Sequence, residues 1–354
     1  MSNALKLNSY IHLAIEQGAS DTFFSEGVTV RMKINGVLRE VGTEALGRAE
    51  LCEFWQACGR APDAVMDADT AYVAPDGTRF RVNLFRHMGK LGAVLRQIKT
   101  EIPSLESLGL PKALLTAWMT QPAGLVLVTG PTGCGKSTTI ASCLEWINQN
   151  HARHVVTIED PVEYQFVDQQ AMFSQREVHN DTPSFAHGLR SSLRQAPDII
   201  LLGEIRDSES ARIALQAAET GHLVLSTVHS SGVQDTLDRL VNLFSEQERH
   251  SLLSLLSAQL IGVFSQLLLP SVEGGGVQVV CEHMNNEGAT RLWIREARLP
   301  ELQDFLAKSD DGWNLSFMRS LVAAAKSGRV DKQIARRASA NATEFDRAML
   351  GISS

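Results

Sequence analysis

The sequence predicts an α/β protein in two parts, a small α+β domain on an antiparallel sheet followed by a mostly parallel sheet covered by helices. Three observations carry this reading. The 354 residues exceed what one core usually organises, so two domains are the expectation. In the first hundred residues, apolar and polar side chains alternate around Asn-Gly and Asp-Gly turns, the pattern of antiparallel hairpins. Further on, short uniformly apolar stretches alternate with helical ones, as parallel strands buried on both faces do.

Taken in order, Leu7, Ile11, Ala14 and Ile15 share one face of an opening helix that Gly18 closes. The stretch VTVRMKINGVLREV sends Val28, Val30, Met32 and Ile34 to one side and turns at Asn35-Gly36. A second alternating segment turns at Asp76-Gly77. The stretch TEIPSLESLGLP, residues 100–111, has two prolines, a glycine and no sustained period, which marks a linker. The domains are therefore expected at residues 1–99 and 112–354. Within the second, GLVLVTG, HVVTIED, DIILLGE and HLVLSTVH are the strands. Leu252 to Pro270 form the longest apolar run. Gln259, Gln266 and several serines break it, and a spanning helix needs about 20 predominantly apolar residues, so it reads as an amphipathic packing helix. From Leu299 onward the chain reads as helical and carries no recognisable chemistry.

Composition narrows the function classes. With 44% hydrophobic and 21% charged residues, 26 Gly and 11 Pro, the chain is an ordinary folded protein, not a low-complexity one. A net charge of -7 argues against nucleic acid as a partner. Five cysteines without a CxxC pair or metal spacing suit a reducing cytoplasm. Polar residues interrupt the N-terminus where a signal peptide would be apolar, so the expected place is cytoplasmic, with any membrane association made through a partner.

The chemistry starts at GPTGCGKST: Gly130, Pro131, Thr132, Gly133, Cys134, Gly135, Lys136, Ser137 and Thr138. This fits G-x-x-x-x-G-K-[ST] and lies between an apolar strand and an amphipathic helix, as a phosphate-binding loop requires. Its glycines let successive N–H groups converge on phosphate oxygens at a helix N-terminus, Lys136 reaches the β and γ phosphates, and the Ser137 hydroxyl is offered to Mg²⁺. ATP and Mg²⁺ are the implied cofactors. Two further strands end in acids: Glu159, Asp160 and Glu163 around Pro161, and Glu204. Strand C-termini form the ligand crevice of an open α/β sheet, so both groups are expected there. Hydrolysis needs one carboxylate to polarise water and another to hold the metal, directly or through water.

His222 and His229 flank the strand LVLSTV. Seven strand residues hold their rings roughly 23 Å apart, so they cannot share a metal. His229 belongs at the crevice end, where its imidazole would sense the γ-phosphate. His222 belongs at the far end, as a structural or subunit-contact residue. Between Asp76 and Lys99, Arg79, Arg81, Arg86, Lys90, Arg96 and Lys99 face Asp76 as the sole acid, a cationic strand pair in an acidic protein.

In this order and spacing, the phosphate loop, the acidic strand end, GEIRD and the TGH…H segment resemble the secretion-motor ATPases, most of all the type IV pilus retraction ATPases of the PilT/PilU type. GASD (Gly18–Asp21), RFRVNLF (Arg79–Phe85) and QREVH (Gln175–His179) extend the resemblance over roughly residues 5 to 300. It implies a PAS-like first domain, a RecA-like ATPase domain, a homo-hexamer, and ATP-driven movement of an inner-membrane platform protein, with a paralogous motor ATPase as a further partner. By resemblance Glu163 matches the general base, Glu204 the Walker B acid, and His222 and His229 the histidine box. Gly203 stands where many P-loop ATPases place an aspartate, a displacement that favours Glu204 acting on Mg²⁺ through water. Arg81 and Arg96 would approach the triphosphate and stabilise the charge that develops on transfer. Arg190, Arg194 and Arg206 are the alternatives for bridging subunits. The sequence departs from the family at SDTFF (Ser20–Phe24), at HMGKLG (His87–Gly92), where Lys90 is the nearest cation, and at ATRLWIRE (Ala289–Glu296). The alternatives to a main retraction motor are an accessory PilU-like subunit and the motor of a related type II or type IV secretion system.

Overall fold

Alternation along the first hundred residues becomes a six-stranded antiparallel sheet. A computed structural model describes residues 4–34, 36–273, 275–309 and 311–352 and divides the chain into two compact units. In the first unit, helix α1 (Ala4–Glu16) buries Leu7, Ile11 and Ala14 and ends at Gly18, whose φ is 61°. Strands β1 (Asp21–Ser25), β2 (Val30–Ile34) and β3 (Val37–Val41) precede helix α2 (Arg48–Ala57), and β4 (Asp67–Val73), β5 (Arg79–His87) and β6 (Lys90–Gln97) follow it. The spatial order is β3-β2-β1-β6-β5-β4. Val30, Met32 and Ile34 are buried as their alternation requires, while Val28 is only half-buried. The turn after Ile34 contains Gly36 with φ 78°; its partner Asn35 lies outside the described residues. Leu51, Phe54 and Trp55 of α2 join the core under the sheet, Phe54 meeting Phe24 edge-to-face at 5.4 Å. Asp21 is buried there and accepts from Nε and Nη2 of Arg96 at 2.8 and 2.6 Å.

The first unit contains Met1–Thr100 and also Pro161–Gln165, which return to it from the middle of the second. The Lys99 N–H donates to the Glu163 carbonyl at 3.3 Å, and the Gln165 N–H donates to that of Lys99 at 3.0 Å. The segment thus forms an isolated parallel bridge with the chain just after β6, with Tyr164 buried beneath the Lys99 ammonium. Residues 101–111 group with the second unit, where Leu105 and Leu110 are buried.

In the second unit α3 (Lys112–Met119) leads to β7 (Gly124–Thr129), α4 (Lys136–Asn150), β8 (His154–Glu159) and β9 (Met172–Glu177). Helix α5 (Phe185–Ser192), β10 (Ile199–Leu202), α6 (Ser208–Glu219), β11 (Leu223–Val228), α7 (Val233–Asn242) and α8 (Glu246–Gln259) follow. The hairpin of β12 (Leu260–Pro270) and β13 (Val277–Asn285) closes a seven-stranded sheet of order β13-β12-β7-β11-β10-β8-β9. Every neighbouring pair in it is parallel except β12–β13. All residues of β7, β10 and β11 are buried, which is why these strands read as continuous apolar runs. Helices α9 (Ala289–Arg295), α10 (Pro300–Lys308), α11 (Phe317–Lys326), α12 (Lys332–Ala338) and α13 (Ala342–Met349) complete the chain, α11 to α13 packing with Leu269 and Val280 of the hairpin.

One expectation is corrected here. Leu252 to Pro270 is not a single packing helix: α8 ends at Gln259 and the remainder is strand β12. Successive residues of β12 are buried along most of the strand, so both its faces are covered and it loses the alternation that would have identified it. Gly262 allows the close approach, because a Cβ there would collide with the Trp118 ring. Among the described residues, no helix is long and apolar enough to cross a membrane.

Candidate active site

Because β7, β11, β10 and β8 run side by side in one direction, their C-terminal ends share one edge of the sheet. That edge carries, in spatial order, the Gly130–Gly135 loop, His229, Glu204, and Glu159 with Asp160. At the other edge, the Gly124 N–H donates to the His222 carbonyl at 3.1 Å. The two histidines are thereby assigned to opposite sides of the molecule's larger sheet. His222 Nδ1 lies 3.0 Å from the Ala217 carbonyl at the end of α6, a packing contact remote from the loop.

The loop leaves β7 at Gly130 (φ 143°), where a Cβ would strike both the Gln266 carbonyl and Cys134 Sγ. Gly135 (φ 89°) caps α4. Lys136, the first residue of α4, is buried, and its Nζ donates to the carbonyls of Gly130 and Pro131, both at 3.0 Å. It also lies 3.4 Å from His229 Nδ1. On the other side of the ring, His229 Nε2 is 3.5 Å from Glu204 Oε1. An ammonium can only donate and a carboxylate only accept, so these partners assign the proton of the neutral ring to Nε2. Burial, and next the Lys136 charge, hold the His229 pKa below its ordinary 6.5, which keeps the ring neutral at pH 7.

This shift has a measurable sign. Since the folded chain resists protonation of His229, the unfolded chain takes up that proton first as pH falls below 6.5. Stability is therefore expected to decline there. In a comparison of thermal melts between pH 8 and 5, His229→Gln should flatten that decline.

Glu204 is nearly buried, its side chain 13% exposed, and its Oε2 accepts from Arg206 Nε at 2.8 Å. Arg206 reaches on to Asp160 at 3.7 Å and packs over the Phe185 ring. Gly203, which precedes the acid, sits in a tight place. A Cβ at residue 203 would lie 3.2 Å from the Ile158 carbonyl and 3.3 Å from Phe185 Cε1, while the Gly203 carbonyl accepts from Thr227 Oγ1 at 2.7 Å. Glu159 is held by its own strand neighbour, accepting from Thr157 Oγ1 at 2.7 Å.

The remaining residues singled out in the sequence have partners of their own. Arg81, Arg96 and Glu163 belong to the first unit. There Arg81 is 3.8 Å from Asp69, directly across the ladder from Arg96. Arg190 pairs with Glu209 of α6 at 2.5 Å, and Arg194 Nη1 donates to the Arg190 carbonyl at 3.4 Å. Thr236 escaped notice in the sequence: its hydroxyl joins Ser230 Oγ at 2.7 Å and donates to Thr129 Oγ1 at 3.3 Å, tying the loop after His229 to the end of β7. The donors available to a metal, the Ser137 hydroxyl and the Glu204 carboxylate, are hard oxygens of the kind Mg²⁺ takes. Among the described residues the Ser137 hydroxyl has no hydrogen-bond partner. Burial pushes the Cys134 thiol up, so it stays protonated beside Lys136.

Comparison with known proteins identifies the family. The family model described as Type II/IV secretion system protein matches residues 3–298. The chain belongs to that family. Within it, the type IV pilus retractation ATPase PilT of Pseudomonas aeruginosa is 37% identical over 303 residues, 84% of this chain and 88% of that protein. The type IV pilus ATPase PilU of the same organism is 34% identical over 322 residues, covering 90% of this chain and 84% of its own. A crystal structure of the pilus retraction motor PilT with bound ADP superposes with a TM-score of 0.89 at 35% identity, covering 96% of this chain and 98% of that one. The mixed, mostly parallel α/β architecture is thus that of a secretion-family ATPase.

Proposed function

We propose that the chain is an Mg²⁺-dependent ATPase, assembled as a homo-hexamer, that powers type IV pilus retraction by moving an inner-membrane platform protein. The observation that carries this is the continuous line from Lys136 through His229 to Glu204 along one sheet edge, in a chain alike to PilT over nearly its whole length. In this reading residues 1–99 form a PAS-like domain, 100–111 a linker and 112–354 a RecA-like ATPase domain, and the protein is cytoplasmic and peripheral at the inner membrane through its partner.

The loop N–H groups and Lys136 bind the β and γ phosphates, and Ser137 and Glu204 hold Mg²⁺, which neutralises phosphate charge when bound. Glu163 acts as the general base toward water. Arg81 and Arg96 stabilise the charge that develops on transfer. Neutral His229, with Nε2–H toward Glu204, registers whether the γ-phosphate is present by the partner its Nδ1 keeps. Arg190, Arg194 and Arg206 are available for contacts between subunits.

The test is steady-state hydrolysis by the purified protein with and without Mg²⁺, alone and with its platform protein, alongside light scattering for the ring. Metal-dependent turnover by a six-subunit species is expected; absence of turnover even with the platform protein would sink the reading. The likeness to PilU favours a second reading, an accessory subunit riding on a paralogous motor ATPase. Single-turnover hydrolysis by the isolated protein separates the two, because only the main motor turns over alone.

A further inference from the structure

Gln266 is a polar side chain in an apolar strand, 1% exposed, and nothing in the reaction outlined above uses it. Its position follows from register. β12 pairs with β7 as far as Ser265 opposite Thr129, so the next residue of β12 flanks the phosphate loop where β7 has already ended. From there Gln266 meets the loop at three places. Its main-chain carbonyl occupies the space a Cβ at Gly130 would need. Its Nε2 donates to the buried Cys134 carbonyl at 2.5 Å and lies 3.2 Å from where a Cβ of Gly135 would sit. Its Oε1 accepts from Thr139 Oγ1, in the first turn of α4, at 2.7 Å.

The orientation of the amide is set by chemistry. A main-chain carbonyl cannot donate, so the atom facing Cys134 has to be the NH₂ group, and the hydroxyl of Thr139 then satisfies the remaining oxygen. A loop whose N–H groups converge inward must turn carbonyls outward, and a buried outward carbonyl needs a donor. Gln266 supplies it for Cys134.

We propose that Gln266 is a positioning residue for the phosphate loop: by holding the Cys134 carbonyl outward, it keeps the adjacent N–H groups aimed at the nucleotide phosphates. The inference rests on the reading of Gly130–Thr138 as the nucleotide site. Gln266→Glu keeps the shape but sets an acceptor against the Cys134 carbonyl, and Gln266→Leu removes both bonds. The loop grips the phosphates alike in the ground state and the transition state. The loss should therefore fall on binding, with KM for ATP and Kd for ADP both rising about ten-fold and kcat moving by less than about two-fold.

The experiment measures ADP binding and ATP turnover for the full chain, its Gln266→Glu and Gln266→Leu variants, Thr139→Val and Lys136→Ala. Weakened ADP binding in both Gln266 variants, with a smaller loss in the same direction for Thr139→Val, supports the proposal. ADP affinity within about two-fold of wild type in folded Gln266 variants overturns it, as does a fall in kcat at unchanged KM. Should neither Gln266 variant fold, Thr139→Val decides by the same criteria. Lys136→Ala separates the levels. If it binds ADP as well as wild type, the loop is not the nucleotide site and both readings fail. If it loses ADP while the Gln266 variants do not, only the positioning role falls.

Discussion

Lys136→Ala is expected to remove ATP hydrolysis, with kcat/KM falling by at least about a hundredfold, and to abolish detectable nucleotide binding. The ammonium is buried and held by two loop carbonyls and His229, so it is already placed where phosphate oxygens would approach the loop. Its removal subtracts the only full positive charge contributed by the loop itself and takes one donor from each of the Gly130 and Pro131 carbonyls. Lys136→Arg should not rescue activity. A planar guanidinium cannot satisfy the tight geometry built around a compact ammonium. Turnover and fluorescent-nucleotide binding check both, with circular dichroism to confirm the fold; hydrolysis retained in Lys136→Ala would contradict the assignment of the loop.

Glu204→Gln should separate binding from chemistry. The substitution preserves volume in a nearly buried site and leaves the loop and Lys136 untouched, so affinity for ATP should stay within a few-fold of wild type. Hydrolysis should fall by about 10²–10⁴, the range expected when a positioned charge or proton acceptor is lost. Two secondary effects follow from the contacts. Arg206 loses the carboxylate that raises its pKa, and His229 loses the single nearby charge that opposes the lowering of its own. The acid limb of any residual activity that depends on neutral His229 should therefore move to lower pH. Equal losses of ATP affinity and turnover would show instead that Glu204 is needed to form the site.

The sequence made the crevice legible because its signals are local. A phosphate loop needs particular residues at fixed spacing, and uniformly apolar strands announce a buried parallel sheet, so the alignment of Lys136, His229 and Glu204 on one edge followed from chain order and strand direction. What stayed hidden depends on distant neighbours. Leu260–Pro270 carries no helical or strand period, since both its faces are covered. Gln266 looked like an interruption of an apolar run; a buried amide in such a run is itself a signal that a specific partner waits across the sheet. Gly203 read as a displaced motif, and its close neighbours Ile158 and Phe185 are seen only in the fold. Glu163, five residues after Ile158 in the chain, could not be assigned to the first unit without knowing that Lys99 pairs with its segment.

That pairing makes the two units inseparable by simple truncation. The backbone passes between them at three points, after Thr100, after Asp160 and after Gln165. A fragment beginning at Glu101 would keep Pro161–Gln165 but lose Lys99, whose main chain pairs with them, uncovering Tyr164, which is otherwise 6% exposed. Conversely, a cut between Thr100 and Glu101 would leave Pro161–Gln165, which group with the first unit, covalently part of the remaining chain. The first unit is thus discontinuous in sequence: five of its residues are supplied from between Asp160 and Phe166, so its boundary cannot be drawn at one peptide bond.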